Sequence, residues 1–167
     1  MRLVNGIEFF HHPADGHPGA PVWGVRVDGV DLRAHTAWAT RELWRPELED
    51  QFEDQAGESA ELIWRQHGGL GVLDAGANPF APTTGRTPLL DCPCGIPRCW
   101  ELTAHAEATA TTVTWRAFRQ TGREEWGELP LGPFVFAREA YETALSRPAA
   151  LAQDPLGPAP QALGCVP

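Results

Sequence analysis

The sequence contains no lysine. All 13 of its basic residues are arginine, set against 22 acidic residues for a formal net charge of −9. Without a primary ammonium there is no Schiff-base nucleophile, no pyridoxal anchor and no phosphate-loop lysine. The shortage of positive charge also argues against a nucleic-acid ligand, whose phosphates are neutralised by clustered Lys and Arg. Long hydrophobic runs are missing too. No stretch approaches the roughly 20 apolar residues of a membrane span, and the opening MRLVNGIEFFHH lacks the apolar core of a secretion signal. These absences lead us to expect a cytoplasmic protein with no membrane and no nucleic-acid partner. Cysteine is scarce, at four in 167 residues. In a reducing compartment such cysteines are expected as thiols or metal ligands rather than as a disulfide framework. Nor is there a serine nucleophile elbow, a phosphate-binding glycine loop or a dinucleotide fingerprint. The stretch GGLGVLDAGANP is glycine-rich, but it follows a helical pattern instead of linking a strand to a helix.

What is present describes a folded domain. Hydrophobic residues make up 43% of the chain and seven are tryptophan, enough for a real core at this length without staples. PVWGVRVDGVDLR alternates, with Trp23, Val25 and Val27 on one side, and breaks at Asp28-Gly29, a pair suited to a type I′ turn. The preceding HHPADGHPGAP reads as a loop. From Arg33 to His67 the period is helical. Pro46 is expected to end one helix at Trp44 and start another, with a third segment from a Ser59 cap to Gly68-Gly69. Residues 68–87 read as loop. A meander follows, with Trp100, Leu102, Ala104 and Ala106 on one face of its first long strand and Val113, Trp115 and Ala117 on one face of the second. PFVF is a short strand, and AREAYETALSR is a helix with an inward stripe of Ala137, Ala140, Tyr141, Ala144 and Leu145. The expected fold class is α+β: a mostly antiparallel sheet, built from an N-terminal hairpin and a C-terminal meander, packed against two or three helices. One domain covers 1–147, and 148–167 is expected to be a flexible tail rich in proline and alanine.

Three of the four cysteines fall in DCPCGIPRCW, as Cys92, Cys94 and Cys99. The first reading is a zinc site, because thiolates at short spacing suit a tetrahedral ion. Only three donors are local, however. A fourth would come from His105, from the loop with His11, His12, Asp15 and His17, or from Cys165, and His105 lies roughly 20 Å along an extended strand. The second reading is a tight turn lined by small buried thiols. The third is a reactive thiol at Cys99, its pKa lowered by Arg98 and resolved by Cys94, although no C-x-x-C motif is present. His67, at the expected end of a helix, reads as a partner of the helix dipole.

Glu42, Glu47, Glu49, Asp50, Glu53, Asp54, Glu58 and Glu61 crowd one helical stretch. The pairs Glu49/Glu53 and Asp50/Asp54 repel one turn apart. Either this is a solvated face, or it is a surface for a basic protein partner centred on Glu49, Asp50, Glu53 and Asp54.

The second half resembles an uncharacterised bacterial family, commonest in actinobacteria. The resemblance rests on Cys92, Cys94, Gly95, Cys99 and Trp100 in a C-x-C-G turn, on Val113, Trp115 and Phe118 in a V-x-W-x-x-F strand, and on Leu131 to Phe136 with Tyr141 and Leu145. It covers roughly residues 70 to 147. Members often carry a glycine just before the third cysteine, where this chain has Arg98. The resemblance implies a shared fold and no particular mechanism. The leading functional expectation is therefore a non-catalytic binding or accessory protein with an acidic helical surface. A homo-oligomer would be compatible with it, and no organic cofactor is expected. The alternatives are a small zinc-binding protein using Cys92, Cys94 and Cys99, and a thiol-dependent enzyme of unknown reaction.

Overall fold

A computed structural model describes residues 4–14, 17–49, 67–71, 78–92 and 99–157. β1 (Ile7–Ala14) and β2 (His17–Val27) form a long antiparallel hairpin, and β3 (Val30–Asp31) adds to the far edge of β2. The stretch expected as a loop is thus the distal half of this hairpin, with His12 paired to Val22 and Pro13 to Pro21. Pro13 is tolerated because it shares its side of the strand with His11, whose carbonyl faces the outer edge, where an N–H is not required. The Asp28-Gly29 turn is as expected: both residues have positive φ, 53° and 78°, as a type I′ turn requires.

α1 (Leu32–Glu49) runs straight through Pro46. The break expected at Trp44 is absent. Leu32, Thr36, Ala37, Thr40 and Trp44 line one buried side of the helix. Burial of that stripe outweighs the lost hydrogen bond and ring clash at a proline near the exposed end. β4 (Leu70–Gly71) pairs with β2.

The second sheet is the meander β5 (Gly85–Leu90), β6 (Leu102–Ala108), β7 (Thr112–Gln120) and β8 (Phe134–Ala137), all antiparallel. α+β with mostly antiparallel sheets therefore holds, with two sheets in place of one and two helices among the described residues. The expected inward face of β6 is correct: Trp100, Leu102, Ala104 and Ala106 are all buried. On β7 the pattern holds for Val113 and Trp115 and then fails. The β6–β7 register slips between Thr103 and His105, and Ala117 sits at φ 52°. One extra residue in β7 makes this a bulge, which moves burial from Ala117 to Phe118 and Gln120.

α2 (Arg138–Ser146) returns across β1, burying Tyr141 but leaving Ala140 exposed. One core joins both sheets and α2, with Phe9, Val25 and Val27 from the hairpin meeting Trp115, Phe118 and Phe136 from the meander. The ordered body also extends past residue 147. β9 (Ala149–Ala150) pairs in parallel with β1, the Leu151 N–H bonds the His11 carbonyl at 2.8 Å, and Asp154 reaches the buried Arg33. The first ten residues of the expected tail are held by that strand pairing and ion pair.

Candidate metal centre

At one end of the molecule Trp44, Trp100, Ala37 and Cys92 form a second, smaller apolar cluster, with Cys99 and Trp126 packed against it. α1 supplies Ala37 and Trp44, the end of β5 leads to Cys92, and the entry to β6 supplies Cys99 and Trp100. Trp126, from a 3-10 turn at Glu124–Trp126, meets Trp44 edge to face at 5.2 Å between centroids. The Arg123 guanidinium lies over all three indoles, 5.2 to 5.7 Å from their centroids, each a favourable cation–π contact.

Of the sequence-expected ligands, the structure brings Cys92 and Cys99 together in this cluster. Cys92 is buried, at 4% exposure, and disulfide-bonded. That differs from the thiol expected of a reducing compartment, and a sulfur in a disulfide is not a thiolate ligand. Cys94, Arg98 and Cys165 lie outside the described residues, as do Asp15, Asp50, Glu53 and Asp54 and the side chains of His17 and Glu49. Among the described residues, no group of three His, Cys, Asp or Glu side chains is gathered tightly enough to hold an ion.

His105 stands between Arg86 and Arg116 in register, half-buried in mid-sheet and away from the cysteines. His11 and His12 are on β1. The His12 Nδ1 is 3.0 Å from the Pro13 carbonyl, and its Nε2 is 3.9 Å from Asp154. His12 belongs instead to an ionic group around Arg33, which is 4% exposed and makes paired hydrogen bonds to Asp31 and to Asp154 at 2.8 to 3.0 Å. Burial alone opposes the Arg33 charge, but the hydrogen bonds and charges of the two carboxylates outweigh it and raise its pKa. For Asp154 burial likewise acts upward, and the Arg33 hydrogen bond and charge, helped by the Leu156 N–H and His12, prevail and lower its pKa. This group fastens the C-terminal strap.

The residue that sequence reasoning undervalued is His67. The helix expected to end at His67 lies outside the described residues. The His67 Nε2 lies 2.8 Å from the Gln120 side-chain oxygen, the ring stacks on Trp100 at 6.2 Å, and the residue is 2% exposed. Burial, with a contribution from the Arg33 charge and against the Gln120 hydrogen bond, lowers its pKa to about 4, so the imidazole is neutral at physiological pH. Its Nδ1 is buried without a hydrogen-bond partner, as is the indole Nε1 of its neighbour Trp100. A buried polar atom left bare costs about 1–3 kcal/mol. Two such atoms on stacked rings beside a cysteine cluster mark this end of the molecule. Helical spacing marked His67 as a buried position, but its contacts to Gln120 and Trp100 are far away in sequence and left no local signal.

Asp91 adjoins the cluster. Burial raises its carboxyl pKa, against a hydrogen bond from the Cys92 N–H. Comparison with known protein families, with curated proteins and with solved structures gives no match to this chain.

Proposed function

We propose that this protein is a non-catalytic metal-binding protein that takes a zinc-class ion at its cysteine turn when the sulfurs are reduced. One observation carries the reading, the meeting of sulfurs. Cys92 is buried and disulfide-bonded, and Cys99 packs on the same tryptophan-lined cluster. Two cysteines of the described residues, Cys92 and Cys99, pack on one small cluster in a chain that already has a large aromatic core. Thiolates are soft donors that favour zinc over magnesium or calcium. Reduction of the disulfide takes two electrons from a thiol or phosphine reductant and two protons, supplied by the thiols or, with a phosphine, by the water that ends as phosphine oxide. Binding then releases thiol protons to solvent as the ion replaces them.

Cys94 remains part of the proposed donor set from its place in the sequence. The acidic-partner expectation gains no support within the described residues, because Asp50, Glu53 and Asp54 lie outside them. The test is a zinc titration of the reduced chain against a chromophoric chelator. One ion per chain is expected, with Cys92→Ser and Cys99→Ser each weakening binding at least about tenfold. Binding unaffected by both substitutions would refute the assignment.

A further inference from the structure

We infer that the slot between the open edge of β1 and the flank of α2 binds the C-terminal end of an extended peptide by strand addition, with Arg147 taking its terminal carboxylate and Glu139 a basic residue near its end. None of the residues lining this slot belongs to the small cysteine and tryptophan cluster, so the site is independent of the metal reading.

The backbone of β1 supplies the hydrogen-bonding groups. The Gly6 carbonyl accepts the Asp28 N–H at 3.0 Å, so the even-numbered residues turn their backbone groups toward β2 and the odd-numbered ones toward the opposite edge. His11 follows this alternation, its carbonyl accepting the Leu151 N–H at 2.8 Å. β9 covers that edge at Phe10 and His11 alone. Upstream of it, the N–H and C=O of Ile7 and the N–H of Phe9 face outward with no strand beside them among the described residues. The gap is closed at its far end, where the Asn5 N–H donates to the Val135 carbonyl at 2.7 Å and the Val135 N–H donates to the Asn5 side-chain oxygen at 2.8 Å. An open edge bounded at both ends suits one short added segment rather than a further sheet.

Side chains supply the shape and the polarity. Beside the open edge lies a groove of about 670 Å³, with Ile7 and Phe9 on one side and Ala137, Ala140 and Ala144 of α2 on the other. Alanine side chains are short, so an extended backbone can approach β1 while alternate side chains enter the groove. Glu139 stands in the first turn of α2 and Arg147 just past its last, both exposed and both lining the groove. Arg138 of the same helix bonds Glu142 at 2.9 Å, whereas Glu139 and Arg147 hold no ion pair among the described residues. The two are eight positions apart, about 12 Å along a helix. An extended chain covers that span in three to four residues at about 3.3 Å each. Arg147 lies two residues before Ala149, which pairs with Phe10. A carboxylate bonded to its guanidinium therefore ends a peptide that runs parallel to β1, with the fourth residue from its end near Glu139.

Fluorescence anisotropy tests this with the full chain and a pool of dye-labelled hexapeptides that carry a free C-terminus, lysine fourth from the end and apolar residues in the last three places. Saturable binding is expected, and the same pool ending in a carboxamide should bind at least about tenfold more weakly. Arg147→Gln should remove the difference between the two pools. Glu139→Gln should weaken binding of the lysine pool by about two- to fivefold and leave a pool with glutamine in that place unchanged. Ala140→Trp, at an exposed helix position, should fill the groove and abolish binding while the circular dichroism spectrum is retained. With peptide bound, the Ile7 and Phe9 amide hydrogens should exchange with solvent at least about tenfold more slowly. A native chain that binds neither pool, or binds both equally, overturns the inference, as does binding that leaves exchange at Ile7 and Phe9 unchanged. Decanoate that displaces the pool as well as unlabelled peptide does would identify the occupant as an acyl chain and overturn the peptide assignment.

Discussion

Tyr141 and Trp100 are buried almost equally, at 2% and 3% exposure, and each carries a polar hydrogen into the interior. The Tyr141 hydroxyl donates to the Phe80 carbonyl at 2.7 Å, within a core of ring pairs that includes Phe9, Trp115 and Phe136. Burial raises its pKa, so it stays protonated and keeps donating. The Trp100 indole N–H has no such acceptor, and the stacked His67 has no donor for Nδ1. The large core is therefore an apolar interior with its polar groups satisfied, which is what folding alone requires. The small cluster keeps two bare polar atoms next to two cysteines.

Four variants test that contrast, from the largest expected effect to the smallest. Trp115→Ala removes the ring at the centre of the large core and should lower unfolding free energy by about 3–5 kcal/mol in a urea titration. Tyr141→Phe leaves the Phe80 carbonyl bare and should lower it by about 1–3 kcal/mol. Asp154→Asn removes one of two partners of Arg33. The carboxylate is half-buried and screened, so the loss should be about 1–2 kcal/mol at pH 7. Its sign with pH follows from the lowered pKa of Asp154. The stabilisation is full above the ordinary carboxylate pKa of about 3.9 and is lost as pH falls through the lower folded value. The gap between native and Asp154→Asn chains should therefore close on acidification, and a gap that widened would place the carboxylate elsewhere. The double substitution of His67→Phe with Gln120→Met replaces a half-satisfied pair by apolar side chains. With no metal added it should change stability by less than about 1 kcal/mol. A large loss would mean that the pair is an ordinary structural hydrogen bond, and the contrast between the two clusters would disappear.

The large core was largely legible in the sequence, because its signals are local. Alternation on β6 identified Leu102, Ala104 and Ala106, and the Asp28-Gly29 pair identified its turn. Prediction failed where tertiary context prevails. A bulge at Ala117 cannot be seen in a two-residue period, so Phe118 was misplaced. Pro46 was taken for a helix end because the buried side running from Leu32 to Trp44 is visible only once α1 has something to pack on. β1 escaped notice behind the prolines of its hairpin, and the strap through Asp154 looked loose because its anchor, Arg33, is distant in sequence. For the site, the cysteines announced themselves as a cluster while the buried pair of His67 and Gln120 did not. His67 is set by Gln120 and Trp100, neither of which is near it in the chain.

Native mass spectrometry of the reduced chain with one equivalent of zinc tests the central claim most directly. A single added zinc ion, with the mass of the displaced thiol protons lost, is predicted, along with its absence from the chain carrying both Cys92→Ser and Cys99→Ser. A reduced native chain that flies without metal, or a doubly substituted chain that holds it equally well, would contradict the account.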